Sequence, residues 1–203
     1  MFKYGLLFAL LMKGRKERRK WGLIVFIIII MVGTTFSFVF YGFQPQSDVV
    51  NYNELKFVRY ADRWEAKING RQAAFSYLPG EVESVLALDG SLKRLKGALE
   101  IDVTSDFNST YKEAIALAQH QMELTLAQYN IFVRKGFTSN NPFNAPVITC
   151  GNSTLHVPVI YFTHGNATNM HVEKECIIAE SNSDEGFIKV KDRLLYAVLG
   201  VME

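Results

Sequence analysis

The chain has 203 residues, of which 49% are hydrophobic and 21% are charged, with five prolines and two cysteines. This composition excludes a disordered protein, a disulfide-built miniprotein and a collagen-like or low-complexity chain. The formal net charge of +2 is unevenly distributed, because residues 1–42 carry +6 and residues 43–203 carry −4. The larger, acidic part therefore lacks the basic charge that a nucleic-acid-binding domain needs to neutralise phosphates.

The longest apolar stretch lies close to the N-terminus. Residues 21–43 read WGLIVFIIIIMVGTTFSFVFYGF and contain no charged residue. A helix of that length reaches roughly 34 Å, enough to cross a hydrocarbon core of ~30 Å. Cleaved secretory signals have a shorter apolar region of about 7–15 residues, followed by small residues. We therefore predict an uncleaved transmembrane signal-anchor over residues 21–43.

A basic cluster precedes this stretch and predicts its orientation. No Lys or Arg follows the stretch until Lys56. The positive-inside rule then keeps residues 1–20 in the cytoplasm as a tail and sends residues 44–203 across the plasma membrane, so the protein is single-pass. We expect the cluster to contact anionic lipid headgroups. Its basic residues are Lys13, Arg15, Lys16, Arg18, Arg19 and Lys20.

The remaining residues predict one α/β domain, residues 54–203, joined to the anchor by a short linker, residues 44–53. Strand-like runs at 55–59, 64–68 and 73–77 predict a β-meander, and Asn69-Gly70 predicts a type I′ turn inside it. Alternating apolar residues at 98–103 predict a buried strand. Thr110 and Glu113 predict a capping box at the start of a long helix.

With a following strand at 131–134, these elements predict a βαβ unit. Further strands are predicted at 146–149, 157–163 and 172–179, the last two flanking a turn at Gly165-Asn166. Ser183 or Asp184 is expected to cap a final helix, 185–201. The predicted fold is thus α/β: one N-terminal transmembrane helix followed by a single extracytoplasmic mixed α/β domain with a β-meander and a βαβ unit.

The two cysteines, Cys150 and Cys176, both lie in the part predicted to be exported. An even pair in that compartment predicts a disulfide, the alternative being two buried free thiols. Three Asn-x-Ser/Thr sequons, at Asn108, Asn152 and Asn166, fall in predicted loops or caps. They are candidate glycosylation sites if the organism glycosylates, and ordinary turn asparagines if it does not.

One stretch carries residues that suit a hard cation. Asp102, Thr104 and Asp106 follow a buried strand and precede a helix, where α/β sheets place ligands. The stretch resembles the metal-ion-dependent adhesion motif Asp-x-Ser-x-Ser, although Asp106 departs from it. The alternative is that these residues only end the strand and start the helix. No motif in the sequence indicates a catalytic residue or an organic cofactor.

The order of a basic tail, one anchor, an NYNELKFVR strand, a KINGR hairpin, a cysteine pair and a closing DRLLYAVLGVM helix resembles small single-pass membrane proteins of archaeal genomes. The resemblance covers residues 21–203 and implies a cell type, but no activity.

The function we predict is a membrane-anchored extracytoplasmic binding or interaction domain without catalytic activity, whose protein partner is unknown. One alternative is a tethered cation-dependent binder or enzyme that uses Asp102, Thr104 and Asp106. The other is a pilin-like filament subunit processed near Gly22, although Trp21 separates that glycine from the basic stretch.

Overall fold

The computed structural model describes residues 21–37, 48–88, 90–173 and 175–202. The chain divides into two compact units, Met1–Gln46 and Ser47–Glu203. In the first unit, residues 21–37 form helix α1, and every residue of this helix is exposed. Within the described ranges, no helix combines the length and the apolar character needed to cross a membrane. The basic cluster and residues 38–43 of the predicted anchor lie outside those ranges.

The second unit begins with a four-stranded antiparallel sheet whose spatial order follows the chain. Asn69 and Gly70 join its last two strands with φ values of 49° and 82°, as the predicted type I′ turn requires. The first strand occupies part of the stretch that the sequence assigned to a linker, because Tyr52 packs against the core. The strands are β1 (Val49–Tyr52), β2 (Leu55–Tyr60), β3 (Arg63–Ile68) and β4 (Arg71–Phe75). A short helix, α2 (Pro79–Val82), follows β4.

A six-stranded mixed sheet forms the second layer, in the order β5-β9-β10-β8-β6-β7. Its strands are β5 (Leu86–Ala87), β6 (Glu100–Ser105), β7 (Phe132–Phe137), β8 (Val159–His164), β9 (Asn169–Glu173) and β10 (Cys176–Ser181). Strands β6 and β7 are parallel neighbours joined through helix α3 (Lys112–Ala127), which confirms the predicted βαβ unit. The mixed α/β class is thus confirmed.

Three details of the predicted second half are wrong. The run 172–179 is not one strand, because Glu175 at φ 71° reverses the chain between β9 and β10. Strand β10 also lies between β8 and β9, so the turn at Gly165-Asn166 does not join neighbouring strands. The run 146–149 forms only a single bridge, from Val147 to Phe137.

The predicted capping box of α3 is also wrong. The helix starts at Lys112 with Tyr111 as its N-cap, and no side chain caps it. The turn before it is held instead by the Ser109 hydroxyl, which accepts a hydrogen bond from the Tyr111 N–H at 3.2 Å. The glutamate at position 113 is therefore a first-turn acid, which suits the positive end of the helix dipole without any box.

Helix α4 (Asp184–Val198) follows β10, packs against α3 and joins the two sheets. The predicted cap Ser183 is confirmed, since its hydroxyl accepts from the Gly186 N–H at 3.1 Å. On the first sheet, the Tyr196 ring stacks on Phe75 with centroids 4.2 Å apart, and its hydroxyl donates to the Tyr77 carbonyl. Apolar side chains of both sheets and of helices α3 and α4 form one core.

A smaller apolar cluster lies on the opposite face of the mixed sheet. Alternate residues of strand β10 point to opposite faces of the sheet. Ile177 and Ala179 belong to the main core, and Cys176 and Ile178 belong to the smaller cluster. Cys150 lies in a short 3-10 turn and forms a disulfide with Cys176, with Cα atoms 5.0 Å apart. The predicted disulfide is therefore confirmed, and it fastens the β7–β8 connection to this face.

Candidate binding cleft

A cleft of about 300 Å³ opens between the first sheet and helix α3. One wall is the chain from 72 to 76, which comprises most of β4 and the residue after it, with Arg63 and Glu65 of β3 beside it. The other wall is a stripe along α3, formed by Gln121, Leu124, Thr125 and Gln128 at spacings of one to four residues. Lys191 of α4 closes the floor.

The floor carries a buried ion pair. The side chains of Lys191 and Asp192 are 1% and 0% exposed, and Lys191 Nζ donates to Asp192 Oδ1 at 2.5 Å. The other carboxylate oxygen, Oδ2, accepts the backbone N–H groups of Ser76 and Tyr77, each at 2.9 Å. Burial raises the pKa of Asp192, and the ammonium and the two N–H donors oppose that rise. The pair therefore ties α4 to the end of β4.

The hydroxyl of Ser76 lines the cleft. It lies 3.5 Å from Lys191 Nζ and 3.4 Å from Gln121 Oε1. A serine needs a neighbouring base to accept its proton before it can attack a substrate. The nearest amine, Lys191 Nζ, is already paired with Asp192 Oδ1 at 2.5 Å.

The rim of the cleft is polar. Glu65 accepts from Arg63 Nε at 2.8 Å through Oε1 and from Gln72 Nε2 at 3.0 Å through Oε2. Both carboxylate oxygens of Glu65 are thus engaged. The lining contains two cationic side chains, Arg63 and Lys191, against one acidic side chain. Each of these cations is paired with a carboxylate, Arg63 with Glu65 and Lys191 with Asp192, so their charges are balanced.

The residues of the predicted cation site have other contacts. Asp102 is fully buried and receives two hydrogen bonds from Arg134, at 2.8 and 2.6 Å, which raise the pKa of that guanidinium. Thr104 Oγ1 donates to the Ile148 carbonyl at 2.8 Å. Asp106 lies beyond the end of β6 and accepts the Asn108 N–H at 2.9 Å.

The described parts of the chain contain no group of three or more His, Cys, Asp or Glu side chains placed to hold a metal. A cation at Asp102 would have to compete with the guanidinium that already occupies both carboxylate oxygens. The cation site stays a prediction.

The three sequon asparagines, Asn108, Asn152 and Asn166, are all exposed. A glycan attached at any of them would extend into solvent, so the structure leaves each one accessible. Their modification stays a prediction.

Sequence reasoning missed Lys191 and Asp192. Charged residues in an amphipathic helix usually face water, so they were not singled out as members of a site. Lys191 nevertheless has buried apolar residues four positions before it and three after it, Phe187 and Leu194, so it lies on the apolar face of α4. That spacing is the sequence feature from which its burial could have been inferred.

No protein-family model, no curated protein and no solved structure matches the chain. The resemblance to archaeal single-pass membrane proteins therefore stays a prediction, and the function is argued from the cleft and from the organisation of the chain.

Proposed function

We propose that the protein is a membrane-anchored binding domain. Residues 21–43 anchor it in the plasma membrane with residues 1–20 in the cytoplasm, and the folded domain binds a partner outside the cell through the cleft between β4 and α3. Support for the anchor comes from residues 21–37, which are helical, uncharged and exposed throughout. Exposed apolar side chains on all sides of a helix suit a lipid environment.

The cleft is the observation that carries the binding role. Its volume of about 300 Å³ lies at the small end of the range for ligand sites. Ala73, Phe75 and Leu124 supply apolar lining, and Lys191 supplies a buried ammonium at the floor. Apolar walls with a few fixed polar groups are the usual composition of a binding site, because the walls exclude water and the polar groups orient the ligand.

Two further features support an extracytoplasmic domain. The domain contains the Cys150–Cys176 disulfide. Disulfides persist in oxidising compartments and are rare in the cytosol. The exposed sequon asparagines are all in the same folded unit, which spans Ser47–Glu203. Both features agree with the orientation that the basic cluster predicts.

Fragment mapping by NMR tests the cleft. The full chain in lipid nanodiscs is titrated with acetate, benzoate and N-methylacetamide, and the amide shifts are mapped. We expect the largest shifts at residues 72–76 and along the Gln121–Gln128 stripe of α3. Leu124→Trp should reduce them, because Leu124 lines the cleft and is 55% exposed, so the larger ring fits without disturbing the core.

Leu117→Trp is the matched control. Leu117 lies on the same helix, is 49% exposed and does not line the cleft, so this variant should keep the wild-type shifts. The cleft would be contradicted as the binding site if the fragments shifted another surface more strongly. Equal binding to Leu124→Trp and to the wild type would contradict it as well.

A further inference from the structure

We infer that the outer face of the first sheet, formed by Val49, Lys56, Val58, Tyr60 and Lys67, docks on a membrane surface that carries anionic lipid headgroups. The inference rests on the proposed function for the anchor, which keeps the domain at the membrane. It does not use the cleft, because none of these five residues lines it and β4 lies two strands away from β2.

The alternation of the strands gives the first sheet an inner and an outer face. Phe57 and Ala66 point into the core and are 0% and 2% exposed. Successive side chains of a strand point to opposite faces, so Lys56, Val58 and Lys67 point away from the core. The two lysines are exposed and Val58 is partly exposed.

An aromatic and an aliphatic residue on this face are unusually open to solvent. Val49 pairs with Val58 across β1 and β2, and Tyr60 follows Val58 by two residues on the same side. Val49 is 47% exposed and Tyr60 is 49% exposed. Tyrosine is enriched at membrane–water interfaces, because its ring is apolar and its hydroxyl is polar.

The two lysines are neighbours without a counter-charge. Phe57 pairs with Ala66, so Lys56 and Lys67 face each other one position further along the same register. In the described parts of the chain, neither lysine forms an ion pair. Like charges at facing positions of adjacent strands destabilise a sheet. An anionic surface would relieve this repulsion.

The remaining charges of the strands do not compensate this lysine pair. Arg63 and Glu65 lie on the same side of β3 and form an ion pair at 2.8 Å, so their charges cancel. Glu54 and Asp62 lie in the turns before β2 and β3, outside the strands. The outer face is therefore locally basic, although residues 43–203 carry a net charge of −4.

The length of the connection to the anchor favours a membrane over a soluble anion. Residues 44–48 join the proposed anchor to Val49. A segment of that length spans at most ~18 Å when it is fully extended. The first strand therefore stays within that distance of the lipid, which gives its outer face a high effective concentration of headgroups. Anionic headgroups attract lysines that lie close to the surface.

The test is NMR of the full chain in nanodiscs that contain phosphatidylcholine with a spin-labelled headgroup, which broadens nearby amide signals. In discs of phosphatidylglycerol and phosphatidylcholine, we expect the strongest broadening of the folded domain at Lys56, Val58, Tyr60 and Lys67. Discs without phosphatidylglycerol should show less broadening there, because the lysines then lose their counter-charge. Added salt should reduce it as well, since it screens exposed charges.

The double variant Lys56→Glu/Lys67→Glu should lose this broadening in the anionic discs. Both positions are exposed, so the amide shifts of the core should stay unchanged. Lys56→Gln/Lys67→Gln removes the charges without reversing them and should show the same loss. The matched control is Lys93→Glu/Lys96→Glu, which reverses two exposed lysines between β5 and β6 and should keep the broadening.

Three results would each overturn the inference: stronger broadening on another part of the domain, equal broadening with and without phosphatidylglycerol, or equal loss in the lysine variants and the control. A failure of the proposed anchor gives a different result. A chain recovered outside the discs would contradict the anchor and the inference together. A chain retained in the discs without broadening of the outer face would overturn the inference alone.

Discussion

Asp192 accepts three hydrogen bonds at once, from Lys191 Nζ and from the backbone N–H groups of Ser76 and Tyr77. Removing two charges from water carries a large desolvation penalty, so a buried ion pair adds little net stability over an apolar pair of the same size. Its effect is positional. The carboxylate fixes the end of β4 against α4 and holds the ammonium at the floor of the cleft.

Removing one partner of this pair destabilises the fold, because the other charge then stays buried without a counter-charge. We expect Asp192→Asn to lower the free energy of unfolding by about 3 kcal/mol. Urea unfolding of the full chain in detergent, followed by near-UV circular dichroism, measures this loss. The matched control is Glu185→Gln on the same helix, which breaks an ion pair with Lys189 but changes an exposed carboxylate. Equal losses for the two variants would contradict a structural role for the buried pair.

At the level of the elements, local patterns predicted the structure well where one face of a strand or helix is buried. Asn69-Gly70 placed the hairpin of the meander because few residues other than these favour a positive φ at both turn positions. The alternation at 98–103 predicted strand β6, although the strand is Glu100–Ser105 and thus starts and ends two residues later. The structure of these elements is therefore determined largely by their own residues.

The elements that sequence reasoning missed depend on tertiary contacts. Strand β10 is inserted between β8 and β9, and no local pattern specifies which strands become neighbours. The cleft is missed for the same reason. Its walls come from α3 and from strands that lie about 50 residues earlier in the chain, and its floor comes from a residue of α4. The burial of Lys191 did leave a trace in the sequence, because Phe187 and Leu194 place it on the apolar face of α4.

The disulfide acts on one element, the connection between β7 and β8. The chain-entropy model gives about 3–4 kcal/mol for a closed loop of this length. The double variant Cys150→Ser/Cys176→Ser should therefore lower the melting temperature, and amide hydrogen exchange should increase most around Ile148 and Val159, which pack beside the disulfide. Peptide mapping without reductant should recover the two cysteines as one linked pair. Two alkylatable thiols in protein that was never reduced would contradict this prediction.

Along the whole chain, the basic excess and the features typical of exported proteins lie in different parts of the sequence. The basic excess lies in residues 1–42, whereas both cysteines and all three sequons lie after residue 100. A disulfide and glycans belong outside the cytoplasm, and a basic flank belongs inside it. The two arguments use different residues and predict the same orientation, in which the domain that carries the cleft lies outside the cell.

This orientation is tested by labelling single reporter cysteines in intact cells. Glu185→Cys should react with a membrane-impermeant maleimide, because position 185 is exposed and lies in the folded domain. Leu10→Cys should react only after the cells are lysed, because the basic residues after it predict a cytoplasmic tail. The native cysteines should not react with the maleimide, because they are joined in the disulfide. The reverse pattern would place the cleft in the cytoplasm. Release of the wild-type chain from membranes by alkaline carbonate would contradict the proposed transmembrane anchor.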